Sequence, residues 1–130
     1  MIKDVQNIDL AWLAGLIDGE GCFNYSGKHY QPRLRVVLQS RDKFVLDKIC
    51  DMVGGRLYWR KPQLSWRPNC SDQWEWTEFR IIELLILCKK LYPYLVLKKS
   101  SCGNMIDYIT EKIKTNKNNI RKYKTYIEEN

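Results

Sequence analysis

Residues 13–21 read Leu13-Ala14-Gly15-Leu16-Ile17-Asp18-Gly19-Glu20-Gly21, an apolar run that stops at glycines and carries two carboxylates at its end. Its Ala, Leu and Ile content favours a helix, and the apolar character extends back to Ile8. Asn7 or Asp9 is placed to cap that helix, and Gly19 and Gly21 to terminate it. A helix C-terminus presents unpaired carbonyls and a partial negative charge, to which Glu20 adds a full one. Hard cations such as Mg²⁺ seek oxygen ligands of this kind. Ala11, Ala14 and Gly15 give the helix a small-residue surface on which a second backbone can come close. The stretch occurs once in 130 residues. One carboxylate is a thin metal site, and two chains about a two-fold axis would supply a second Glu20. The plainer reading is a buried helix ending in a Gly-rich turn.

Downstream the period changes. Residues 22–30 and 33–39 alternate as strands, with Leu34, Val36 and Leu38 on one side and Arg33, Arg35, Val37 and Gln39 on the other. Residues 42–53 predict a second helix, with Phe44, Leu46, Ile49, Cys50 and Val53 as its inner positions, ended by Gly54-Gly55. Residues 56–61 and 73–79 form a second alternating pair around a long loop that contains Trp66 and Arg67. A helix over 81–91 stops before Pro93, a last one covers about 99–113, and 114–130 is a polar tail. The order αββαββα predicts one α+β domain over residues 1–113, with an antiparallel sheet whose helices cover one face.

The polar strand faces carry Asn24, Ser26 and nearby Lys28, then Arg33 and Arg35, then Arg56, Tyr58 and Arg60, then Gln73, Glu75 and Thr77. Arg, Asn and Gln are the side chains that hydrogen-bond to base edges, whereas an ordinary solvated face leans toward Lys, Glu and Thr. Lys plus Arg is 22 against 15 Asp plus Glu, a net charge of +7, and a basic excess of this size points to a polyanion. The cysteines, Cys22, Cys50, Cys70, Cys88 and Cys102, are odd in number and widely spaced, which argues against a disulfide framework or a zinc site and fits an intracellular, reducing setting. Mitochondrion, chloroplast and microbial cytoplasm fit equally. No secretory signal is evident, and the most apolar run, 81–88, contains Glu83 and is too short to span a bilayer.

Leu13 to Gly21 resembles the signature of the LAGLIDADG homing endonucleases, with Gly19 for the usual Ala and Glu20 for the usual second Asp. Leu38-Gln39 ahead of the 42–55 helix and turn, and Tyr92-Pro93-Tyr94-Leu95-Val96-Leu97-Lys98, resemble two further segments of that family, and the element order matches over about residues 8–113. The resemblance implies Glu20 as the metal-binding acid with the Gly19 carbonyl as a second ligand, Gln39 positioning solvent, and Lys98 near the scissile phosphate. Lys98 is preferred over Lys99 on the motif's phase, and Arg41 or Lys43 is an additional basic candidate. Asp18 is implied to be structural. Ala11, Leu13, Ala14, Gly15, Ile17 and Asp18 would meet a second copy. The strand-face residues would contact double-stranded DNA, and His29 is more plausibly a backbone or solvent contact than a catalyst.

The implied activity is Mg²⁺-dependent hydrolysis of one phosphodiester per DNA strand by a homodimer, on a palindromic or pseudo-palindromic target, leaving short 3′ overhangs. Rival readings are a group I intron RNA maturase, a regulator of the same fold without catalysis, and a dimerisation domain with a fortuitous motif. Glu20, Gln39 and Lys98 together favour the nuclease, and the Arg-bearing strands argue against the last. Binding should weaken steeply with salt.

Overall fold

The computed structural model describes residues 4–60 and 72–115. The chain runs α1 (Asn7–Glu20), β1 (Gly21–Ser26), β2 (Gln31–Gln39), α2 (Lys43–Val53), β3 (Arg56–Arg60), β4 (Gln73–Glu78), α3 (Ile81–Leu91) and α4 (Lys99–Thr115). Short 3₁₀ turns, Ser40–Asp42 and Tyr92–Tyr94, lead into α2 and follow α3. The strands form one antiparallel sheet in the order β1-β2-β4-β3. This is the predicted α+β arrangement. Helix α4 runs to Thr115, past its expected end, and the 61–71 loop and the tail from 116 lie outside the described residues.

Helix α1 differs from expectation at both ends. Neither Asn7 nor Asp9 caps it; the Gln6 carbonyl already accepts the Leu10 N–H at 3.1 Å. The helix passes through Gly19, since one glycine costs a helix only about 1 kcal/mol, and Glu20 is its last residue rather than a residue beyond it. It turns into β1 at Gly21, where a Cβ would lie 2.7 Å from Ile17 Cγ2 and 2.9 Å from the Ile17 carbonyl, so only glycine fits.

Register assigns the two sheet faces. Phe23, Pro32, Leu34, Val36, Trp74, Trp76 and Leu57 share the face under the helices. The core joins Leu34, Val36 and Trp76 to Leu10, Leu13, Ala14 and Ile17 of α1, to Leu46, Ile49 and Val53 of α2, and to the inner faces of α3 and α4. Phe44, expected inside, is exposed. Two residues along a helix is a rotation of about 200°, so Phe44 cannot share a side with Leu46. The four described cysteines are free thiols. Among the described residues no helix is long and apolar enough to cross a membrane.

Among the described residues Trp76 is the largest fully buried side chain, and its indole N–H donates to the Gly54 carbonyl at 2.8 Å. The next residue, Gly55, has φ +99°, and a Cβ there would overlap the Trp76 indole nitrogen. Gly55→Ala is therefore expected to destabilise by about 2–4 kcal/mol, from backbone strain plus displacement of the indole. Urea unfolding checks this; a loss below the error of the method would contradict it.

Candidate functional site

The C-terminus of α1 gathers the motif's chemistry. Asp18 Oδ2 accepts the Val96 N–H and its Oδ1 the Lys98 N–H, both at 2.9 Å. In return the Lys98 ammonium donates to the Ile17 and Asp18 carbonyls, each at 3.0 Å. The segment after α3 is thus buckled onto the end of α1 by reciprocal bonds across 80 residues. A cation on the last carbonyls of a helix is favoured by their partial charge. Two of the three ammonium donors are used, leaving one uncommitted. Lys99 turns elsewhere, its ammonium 4.9 Å from the centre of the Tyr92 ring.

Glu20 completes the same turn. It is exposed, and no donor among the described residues engages its carboxylate. Gln39, the last residue of β2, lies on the open sheet face three residues past Val36, which pairs with Gly21 at the foot of α1. Of the two extra basic candidates, Lys43 is tied to Asp47 at 2.9 Å and lies over the Trp74 ring, while Arg41 has only a loose 3.8 Å pair with Asp42. No three His, Cys, Asp or Glu side chains converge as a metal site among the described residues. The Glu20 carboxylate and a last-turn carbonyl suit a hard, partly hydrated cation, but by themselves they are a thin ligand set.

Asp18 is the group here whose acidity is displaced. Burial pulls its carboxyl upward, but the N–H groups of Lys98, Val96 and Leu97 and the Lys98 charge outweigh it and hold it below the ordinary value. A folded pKa below the unfolded one contributes stability that is complete above the unfolded value, about 4, and is lost as pH falls through the folded value. The stability difference between wild type and Asp18→Asn should therefore be constant near neutrality and shrink below about pH 4. Unfolding curves at pH 7 and pH 3 read this; a difference that grows toward acid would contradict it.

The dimer residues divide. Leu13, Ala14 and Ile17, expected at an interface with a second copy, are fully buried in the chain's own core and are unavailable to one. The Asp18 carboxylate is spent within the chain. Ala11 and Gly15 stay exposed, and with Ile8 and Gly19 they form one stripe at helical spacing. A Cβ at Gly15 or Gly19 would meet nothing within 4 Å. Val96 and Leu97, 83% and 77% exposed, lie just past α3, beside the end of this stripe where Asp18 holds their segment. Ile8, Val96 and Leu97 were not among the residues expected to meet a second copy, nor was Gly19, which was expected only as a metal ligand; the Ile8-Ala11-Gly15-Gly19 spacing is the signal in the sequence for the exposed stripe.

The strand residues come together more fully. Asn24 and Ser26 of β1, Arg33 and Arg35 of β2, Gln73, Glu75 and Thr77 of β4, and Arg56, Tyr58 and Arg60 of β3 share the face away from the helices. Two of them do not present themselves outward: Thr77 is 1% exposed and Glu75 is largely covered by arginine side chains, so the expected direct contact by Thr77 is not available. The cross-strand neighbours Asn24 and Arg33 each keep a buried polar atom, Oδ1 and Nε, without a hydrogen-bond partner among the described residues. Lys28 and His29 lie in the exposed β1–β2 turn, which α4 holds through Tyr108 Oη to the Tyr30 carbonyl (2.9 Å) and Lys112 Nζ to the His29 carbonyl (3.3 Å).

The sequence pattern of the LAGLIDADG endonuclease family matches residues 13–100. No curated protein matches the chain. Among solved structures, the homing endonuclease I-CvuI, in complex with its target in the presence of calcium, is 27% identical over 79% of this chain, with a TM-score of 0.63. The meganuclease I-AabMI bound to uncleaved DNA is 27% identical over 87% of it, with a TM-score of 0.62. The homing endonuclease I-TnaI shares the fold at 21% identity, over 97% of this chain and 88% of its own, with a TM-score of 0.62. The chain spans 66% of the length of I-CvuI and 41% of that of I-AabMI. With its signature helix, its sheet order and the match over residues 13–100 in agreement, the chain belongs to the LAGLIDADG endonuclease family.

Proposed function

We propose that the chain is a site-specific DNA endonuclease that works as a homodimer, cutting one phosphodiester on each strand of a palindromic or near-palindromic target with a divalent cation, Mg²⁺, and leaving short 3′ overhangs. The observation that carries this reading is the fixing of the Lys98 ammonium on the last carbonyls of the very helix that ends in the free Glu20 carboxylate. A basic donor and an acidic oxygen are thereby held within one helical turn, as hydrolysis of a phosphodiester requires. The open sheet face, with its arginines and the orphan Asn24 and Arg33 atoms, supports double-stranded DNA as the ligand. I-CvuI and I-AabMI were both crystallised on DNA, and I-CvuI also on uncleaved DNA in the presence of magnesium.

The roles in this reading are those that the family resemblance implies. Glu20 and the Gly19 carbonyl would hold the cation, which would supply Lewis-acid activation of a phosphate oxygen and of an attacking water. Lys98 offers its remaining donor to the negative charge that builds on the phosphate. Gln39, at the edge of the sheet face nearest the foot of α1, orients solvent. The stripe Ile8-Ala11-Gly15-Gly19 packs against the same stripe of a second copy and brings the second Glu20 alongside the first. An isologous contact of this kind imposes its two-fold symmetry on the target.

The test is incubation of the purified protein with Mg²⁺ and a library of duplex DNA with randomised palindromic targets. Discrete double-strand breaks that vanish with chelator are expected. Binding without cutting in Mg²⁺ would favour the regulator or the RNA maturase over the nuclease.

A further inference from the structure

On an arginine-rich face built to meet a polyanion, a carboxylate at the centre of the sheet works against affinity. Glu75 is that carboxylate. Its Oε2 accepts the Thr77 hydroxyl at 2.7 Å, which fixes the side chain from beneath. Its Oε1 lies 3.7 Å from Arg35 Nη1 and 4.0 Å from Arg60 Nη1. Register shows how both reach it. Glu75 pairs with Val37 on β2 and Tyr58 on β3, while Arg35 sits opposite Thr77 and Arg60 opposite Gln73. The arginines therefore come in diagonally from the two neighbouring strands and from opposite directions along β4. The Glu75 side chain is 12% exposed beneath them, against 35% for Arg35 and 47% for Arg60.

A covered carboxylate is poorly placed to accept from the amino group of cytosine, the direct reading for Glu in the major groove. It also weakens the pull of both arginines on phosphate. What it supplies is orientation. A guanidinium has five donors in a rigid fork; with one edge drawn toward Glu75, the other is left for a bidentate acceptor. In the major groove that acceptor pair is O6 and N7 of guanine.

We propose that Glu75 is a positioning residue for base specificity: seated on Thr77, it orients Arg35 and Arg60 so that each reads a guanine, giving two guanine-dependent positions in every half of the target. This rests on the reading that the open face binds DNA, and the experiment separates the two. A duplex pool with randomised positions is selected by binding in EDTA, so that no strand is cut, for wild type, Arg35→Ala, Arg60→Ala and Glu75→Gln. Wild type should enrich guanine at two positions per half-site, and each arginine variant, altered at the surface, should lose one of them. Glu75→Gln, which keeps the length and an acceptor for Thr77, should lower the guanine preference at both positions by about tenfold. Its affinity for unselected DNA should hold or rise, because a negative charge has gone. A merely structural role would lower selected and unselected binding in parallel, and that outcome overturns the proposal. Guanine preferences untouched by Glu75→Gln, or retained when their arginine is deleted, overturn it equally. Failure of wild type to enrich any sequence overturns the DNA reading itself.

Discussion

Glu20→Gln is expected to lower DNA cleavage by about a hundredfold to a thousandfold while leaving folding and DNA affinity nearly unchanged. Gln keeps the shape and one acceptor oxygen but removes the negative charge that draws a hard cation out of water. Glu20 is exposed, ends its helix, and has no hydrogen bond or ion pair among the described residues. The substitution therefore removes no hydrogen bond or ion pair among the described residues. Single-turnover cleavage in Mg²⁺, binding in EDTA and a thermal melt read the three quantities separately. Cleavage within a few-fold of wild type would remove Glu20 from the catalytic assignment. A lowered melting temperature would mean that its carboxylate has a structural role.

Gly15→Leu is expected to have an effect of similar size by a different route. Gly15 is exposed in mid-helix, and a Cβ there meets nothing within 4 Å. Leu is favoured over Gly in a helix interior by nearly 1 kcal/mol, so the single chain should be as stable as wild type or more so. A bulky side chain on the stripe nevertheless holds two helix backbones apart. Loss of self-association, and with it of double-strand cleavage, should thus accompany an unchanged or raised melting temperature. Sedimentation velocity and the cleavage assay check both. Full activity in Gly15→Leu would place the contact between copies elsewhere.

The elements were legible from Leu13 to Gly21 outward because their periods are clean. Alternation in 33–39 and 73–78 assigned Arg33, Arg35, Gln73 and Glu75 to the face they occupy. What α1 buries was not legible. It is apolar almost all round, so no phase in its sequence tells the core side from the outer side. Leu13, Ala14 and Ile17 were accordingly expected at an interface and lie in the core.

Strand period likewise gives the face of a residue but not its cover. Thr77 is on the open face yet buried, its hydroxyl bonded to the Glu75 carboxylate. The Asp18–Lys98 buckle joins residues 80 apart. Only the fold brings them together, although the family resemblance had already singled out Lys98 over Lys99.

The central claim is that each chain carries half a site, completed by a second copy. Native mass measurement of the protein on a bound, uncut target duplex tests it most directly. Two chains per duplex are predicted, with Gly15→Leu unable to form that species. A single chain per duplex that goes on to cut both strands when Mg²⁺ is added would contradict the account.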